Sequence, residues 1–325
     1  MHRSGFIYLM RNYLVIFNLF LIVLISCSKD KIVQEKTKQS TIYEIIDNDI
    51  NYSILSTALR ITKLDEVLKS ADVFTLYAPH DIAFMNFLIN SGYGSLQEVP
   101  ESDLKKILLN HLMEGELEYR NFKTGYFKTL AKKNEGDEFL SIYINQVRMR
   151  VNINGSSRII QGNVRGSNGI IHVVNSVIPI PSLSTFIMAD PYLYNLSLAF
   201  SRDDFDNNFT TLLSNSFDDK PAGITLFAPI NNAFADFLSE LGVDRFSFID
   251  TPSLLQTLNN HITENSYLLK DLSDNLVIST LRDDLKVKNF DGIKLIDQNN
   301  REIDIIYNDI QANNGIIHII DKVIM

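Results

Sequence analysis

The sequence predicts an α+β protein made of two tandem copies of one domain. Three observations lead there. Blocks of text recur in one order: TLYAPHDIAFMNFL from Thr75 and TLFAPINNAFADFL from Thr225 lie 150 residues apart, as do His111 and His261, and NGIIHVVNSVI from Asn168 precedes NGIIHIIDKVI from Asn314 by 146. A period that long exceeds any solenoid repeat, so each copy is a whole domain. Within each copy the hydrophobic period then changes from helical to two. Helices come first and a run of strands follows, an order that argues for α+β and against a parallel βαβ sheet.

Each unit opens its first repeated block with a short β-favouring run, Thr75–Ala78 or Thr225–Ala228, which ends at Pro79 or Pro229 because proline has no amide to donate. A helix follows, with Asp81 or Asn231 expected as its cap. Its apolar stripe is Ala83, Phe84, Phe87 and Leu88 in the first copy, and Ala233, Phe234, Phe237, Leu238 and Leu241 in the second. The second block is another helix, opened in the second copy by a Thr251-Pro252 cap and N1 pair. Its stripe is Leu104, Ile107, Leu108 and Leu112, or Leu254, Leu255, Leu258 and Ile262, with His111 or His261 on it.

Alternation then takes over in FLSIYINQVRMRVNINGSSRII and LKVKNFDGIKLIDQNNREIDIIY, with turns expected at Asn154-Gly155, Asp291-Gly292 and 298–300. The repeated Asn-Gly phrase is the last strand, entered through a positive-φ glycine. Ile170, Val174 and Ile178 alternate with Ile171, Val173 and Val177, so both faces are apolar and the strand belongs in a covered sheet centre.

The chain starts differently. Met1–Asn12 is short and basic, Leu14–Ile25 is apolar but too short for a comfortable membrane span, and Ser26-Cys27 follows. LISC (Leu24–Cys27) resembles the lipobox of bacterial lipoproteins, which implies a signal peptide over 1–26 and acylation of Cys27. Several acyl chains, at about 0.8 kcal/mol per buried CH₂, would make that anchor effectively permanent. Cys27 is the only cysteine, so disulfides, zinc clusters and thiol catalysis lack material. Residues 27–40 read as a polar tether. Loss of Arg3 and Arg11 with the signal takes the net charge from −9 to −11, and an acidic body has no phosphate-neutralising surface, so nucleic acid is not an expected partner. The remaining chain divides into domains at 41–181 and 182–325. Two prolines in IPIPSLS (Ile178–Ser184) stiffen the connection and favour a surface shared by both domains.

These blocks resemble the fasciclin-like (FAS1) domain family. Thr225–Phe234 is similar to the family's TLFAPxNxAF signature, with Tyr77 and His80-Asp81 as looser matches in the first copy, and both Asn-Gly phrases resemble NGxIHxIDxVLxP, with Asn175 standing where Asp321 stands in the second. The family's central Tyr-His pair is represented by its histidine alone, after Asn110 and Asn260. The resemblance covers about Thr41 to Met325. It implies, for each domain, a β-sandwich wedge with helices along one side, and an extracellular or surface-attached adhesion or interaction role without catalysis.

The residues themselves offer little chemistry. His111, His172, His261 and His318 occupy duplicated positions, where neutral imidazole could serve a metal or acid–base role. Their apolar surroundings instead suit buried imidazoles bonded to backbone, and zinc would need three or four protein ligands. Asp321, three residues beyond His318 on a strand, points to the opposite face and is expected to bond backbone. Phosphate-cradling glycine loops, HExxH and GxSxG are absent. Neither a metal nor a cofactor is therefore expected. There is no Trp for a sugar platform, but Tyr93, Tyr119 and Tyr126 lie in loop-like text and are candidate partner-binding aromatics.

The expected protein is a non-catalytic, lipid-anchored cell-envelope adhesion protein, sited at the outer membrane with its facing side open. Its partners would be the membrane, through Cys27, and a protein or glycan ligand. Polysaccharide capture and a spacer that presents another component are the alternatives.

Overall fold

The computed structural model describes residues 39–133, 136, 138–205, 209–214 and 223–325, and Ser40–Met325 form one compact unit. The signal peptide, Cys27 and nearly all of the tether lie outside the described residues.

Each half begins with a capped helix. Thr41 caps α1 (Ile42–Asp47) in a capping box with Glu44, and Ser182 caps α6 (Leu183–Ala189) in the same way with Thr185. The first half continues with α2 (Ser53–Ile61), α3 (Leu64–Val67), β1 (Phe74–Pro79), α4 (Asp81–Asn90) and α5 (Glu101–Asn110). It ends with strands β2 (Leu112–Glu114), β3 (Gly125–Lys132), β4 (Phe139–Val147), β5 (Arg150–Ile153), β6 (Ser157–Gly166) and β7 (Gly169–Val174). The second half repeats the plan: α7 (Tyr194–Phe200), α8 (Phe209–Ser214), β8 (Ile224–Pro229), α9 (Asn231–Glu240) and α10 (Thr251–Asn259). Its strands are β9 (Ile262–Thr263), β10 (Val277–Ser279), β11 (Asp284–Asn289), β12 (Ile293–Ile296), β13 (Glu302–Ala312) and β14 (Gly315–Ile320).

Each half holds one seven-stranded sheet, ordered β2-β1-β7-β6-β5-β4-β3 and β10-β11-β12-β13-β14-β8-β9. The closing strand sits in the middle of each, and every residue of β7 and β14 is buried. It pairs parallel with β1 or β8, in register Tyr77 to His172 and Phe227 to His318, and antiparallel with β6 or β13. The one parallel pair in each sheet joins a domain's first long strand to its last.

The first sheet folds over itself through β6, which pairs with β5 at Arg158 and with β7 from Ile159 onward. Tyr77 and Val174 thereby meet Ile142, Ile144, Val151 and Ile153 in an inner core. On the other face of the same strands, Leu76, Ala78 and Ile171 pack against Phe84, Leu88, Leu104 and Leu108 of the helices. Two-sided burial explains why the strand text is apolar throughout. The second half repeats both layers, with Phe227 and Ile320 in the inner core and Leu226, Ala228 and Ile317 under the helices. Each domain is thus a sandwich wedge with helices along one side.

Several local expectations shift. Asp81 and Asn231 do not cap their own helices. The cap of α4 is His80, whose Nδ1 accepts from Ala83 N–H, and the N-cap position of α9 is Ile230, which provides no side-chain cap. Asp81 instead accepts from Ile54 N–H of α2, and Asn231 from Asn195 N–H of α7, each satisfying the first turn of a neighbouring helix. The cap of α10 is Asp250, which accepts from Ser253 N–H, so Thr251 and Pro252 are its first two residues. Helices α5 and α10 end before their histidines, leaving Leu112 and Ile262 to the following strands, while Leu241 caps α9 and is 48% exposed. Asn154 and Gly155 both take positive φ, as a type I′ turn needs, but a second two-residue turn at Arg148-Met149 splits the run read as continuous.

The Asn-Gly glycines answer mainly to crowding. Gly169 has φ +140°, but Gly315 lies outside the left-handed region; a Cβ would meet Phe74 O at 2.0 Å and Ile224 O at 2.4 Å respectively. Only glycine lets the closing strand start so near β1 or β8.

Candidate functional site

The four duplicated imidazoles lie inside their own wedges. His111 follows α5 directly; its Nδ1 donates to Ile107 O at 2.8 Å and its Nε2 accepts from Ile178 N–H at 2.8 Å. His261 makes the same pair with Thr257 O (2.8 Å) and Ile324 N–H (3.0 Å). Each ring therefore ties the end of a helix to the chain leaving the closing strand. Burial pushes both pKa values down to about 4, so both rings are neutral at pH 7. His172 and His318 face the inner core, bonding Leu117 O and Tyr267 O at 2.8 Å, and burial lowers their pKa as well. These partners are backbone groups, and the described residues contain no cluster of three metal-ligating side chains.

The asparagines before the glycines are clamps. Asn168 accepts from Ile42 N–H and donates to Leu68 O and Ser70 O, while Asn314 accepts from Leu183 N–H and donates to Leu213 O. Each binds its domain's first helix to its last strand. Asp321 accepts from Asp304 N–H through Oδ1, and Asn175 accepts from Arg158 N–H in the same way. One acceptor oxygen is all that either position uses, which is why Asn and Asp can alternate there.

Of the tyrosines expected on loops, Tyr93 and Tyr119 lie between the helices and strands and Tyr126 does not. Tyr126 is on β3, and its hydroxyl donates to Asp190 Oδ2 at 2.8 Å across the domain junction. Tyr119 sits in a 3₁₀ turn, its hydroxyl donating to Met149 O and its ring edge-on to Phe122. Tyr93 is half-buried against the first helical core.

The sequence points to a stiff connection and a surface shared by both domains, but not to the residues that make the junction. Tyr143 of β4 is buried within the second domain's helical core and donates to Asp190 Oδ1 at 3.1 Å. Burial and the Asp190 charge raise both tyrosine pKa values, so the hydroxyls stay protonated donors. Tyr126 also lies 5.5 Å from Phe186 and 5.4 Å from Tyr307, ring centre to ring centre. Gln311 N–H donates to Ser141 Oγ, Lys128 reaches Asp309 O, and Lys106 reaches Asn313 Oδ1. Asp190 is the counterpart of Asp49: each caps a 3₁₀ turn, by accepting from Tyr192 N–H and Asn51 N–H.

A Fasciclin domain family model matches residues 50–181 and 205–325. Human periostin is 26% identical over 276 residues, which cover 81% of this chain and 30% of periostin. Protein sll1483 of Synechocystis sp. is 28% identical over 152 residues, 46% of this chain and 80% of that protein. A fasciclin-like arabinogalactan protein of Arthroderma benhamiae is 28% identical over 207 residues, 63% of this chain and 42% of the other. Among solved structures, a FAS1 domain pair from the insect cell adhesion molecule Fasciclin I gives a TM-score of 0.48 at 20% identity, covering 83% of this chain and 96% of that one. With both of its halves matched by the same family model, the chain belongs to the fasciclin domain family, as two tandem fasciclin domains.

Proposed function

We propose that this chain is a non-catalytic adhesion or interaction protein of the cell envelope, held to a membrane by acylation of Cys27, with both fasciclin domains presented as one unit. The observation that carries this reading is the use made of the duplicated polar residues. His111, His172, His261, His318, Asn168, Asn314 and Asp321 all bond backbone within their own domain, where they maintain shape. LISC at Leu24–Cys27 supports the anchor.

Membrane fractionation of the natural host tests the anchor: Cys27→Ala should move the protein from membrane to soluble fraction. Protease shaving of intact cells then decides which compartment holds the partner. Capture from solubilised envelope by the purified protein should recover a specific protein or glycan; turnover of ester, peptide or glycoside substrates would overturn the reading. Polysaccharide capture would require Tyr93, Tyr119 or Tyr126 to face the sugar, and glycan binding lost in Tyr119→Ala would favour it.

A further inference from the structure

The two domains have the same head and tail, but among the described residues only one head is covered. In the second domain, the end of α6 and the adjoining stretch of β13 form a face on which the first domain's β3–β4 hairpin sits, with Tyr126 and Tyr143 on Asp190. The matching face of the first domain is open. There Asp49 stands where Asp190 stands, and Ile50 beside it is 86% exposed. Ile82 of α4 and Ile160 of β6 extend the apolar surface at 62% and 48% exposure, around a cleft of about 410 Å³ that also reaches Asp49. The position equivalent to Ile82 in α9 is Asn232. Isolated exposed apolar residues are ordinary, but here several share one cleft.

The complementary tail is open on the second domain. Ile278 pairs with Leu285 in the inner core as Phe127 pairs with Ile142, which places Val277 and Lys286 at the positions of Tyr126 and Tyr143. Val277 is 53% exposed and Lys286 is exposed. A lysine at the tyrosine position suits an aspartate on the receiving face, because an ammonium can donate to the carboxylate as the tyrosine hydroxyl does and adds opposite charge.

We propose that copies of this chain associate head to tail by repeating the junction found inside each copy, with the Val277–Lys286 face of one docking on the Asp49–Ile50 face of the next. The contact uses two different surfaces, so it does not close into an isologous dimer and builds a ring or an open chain of more than two copies. Within one chain the linker supplies an effective concentration on the order of 1 mM, so the repeat between copies is weak.

The test is sedimentation of the purified chain carrying Cys27→Ser, so that lipid micelles do not join copies. Raising the concentration toward about 1 mM should carry the weight-average mass beyond that of a dimer. Ile50→Asp and Lys286→Glu, both at exposed positions, should each weaken association at least tenfold while leaving thermal unfolding unchanged. An equimolar mixture of the two variants should form dimers and nothing larger, because one intact head and one intact tail remain. A monomer at every concentration would overturn the proposal, as would association insensitive to either variant, or a mixture that stays monomeric.

Discussion

Replacing His111 by alanine tests the argument that the duplicated histidines are structural. The ring is fully buried, and its Nε2 is the acceptor for Ile178 N–H at 2.8 Å. Alanine leaves that N–H unpaired where water does not reach, which costs about 1–3 kcal/mol. The vacated ring volume adds about 2 kcal/mol if its surroundings do not collapse. At roughly 2–4 °C per kcal/mol for a chain of this size, the melting temperature should fall by roughly 6–20 °C. The pH dependence is more diagnostic than the size of the fall. The folded pKa of about 4 lies below the unfolded value near 6.5, so the unfolded chain binds more protons between those limits. The stability due to the neutral ring is therefore complete above pH 6.5 and is lost as pH falls toward 4, at about 1.4 kcal/mol per unit. His261 adds the same dependence in the second domain. Urea unfolding of wild type and His111→Ala at several pH values from 7.5 to 4.5 reads both effects. The variant should lose up to about 3 kcal/mol less than wild type across that range. Equal slopes for the two proteins, or destabilisation below about 1 kcal/mol at pH 7.5, would refute the reasoning.

Three further outcomes follow from the geometry. Gly315→Ala puts a Cβ 2.4 Å from Ile224 O and should cost more than about 3 kcal/mol, whereas Gly242→Ala, with φ +68° and open space, should cost about 1–2 kcal/mol; chemical denaturation compares them. Asp321→Asn should be neutral within about 0.5 kcal/mol because Asn175 does the same task in the first domain, while Asp321→Ala should cost about 1 kcal/mol by exposing Asp304 N–H. Tyr143→Phe removes one of the two tyrosine hydroxyls on buried Asp190 and should cost about 1–2 kcal/mol, with faster proteolytic cutting between the domains.

The residues differ in how far their roles could be read before any fold was known. The closing strands were legible because burial on two faces imposes an apolar text that no other environment of that length requires. His111 and His261 were legible as buried groups, but their acceptor duty toward Ile178 and Ile324, more than 60 residues away, was not. Asp81 and Asn231 carry the composition of local caps, so the reading assigned them to the nearest helix. Their true clients are helices about 30 residues upstream, brought alongside by packing. Tyr126 and Tyr143 belong to alternating strand text that reveals which face they share, but not that the second domain covers it.

Sequence alone determined the duplication, the order of helices and strands, and the central place of each Asn-Gly strand. These depend on periodicity and on backbone limits at glycine and proline, which act over a few residues. The tertiary structure decided which capped helix each acidic or amide side chain serves, which tyrosines become junction residues, and which domain keeps an uncovered head. Those outcomes depend on contacts between segments far apart in the chain, whose partners are selected only when the two wedges close and meet.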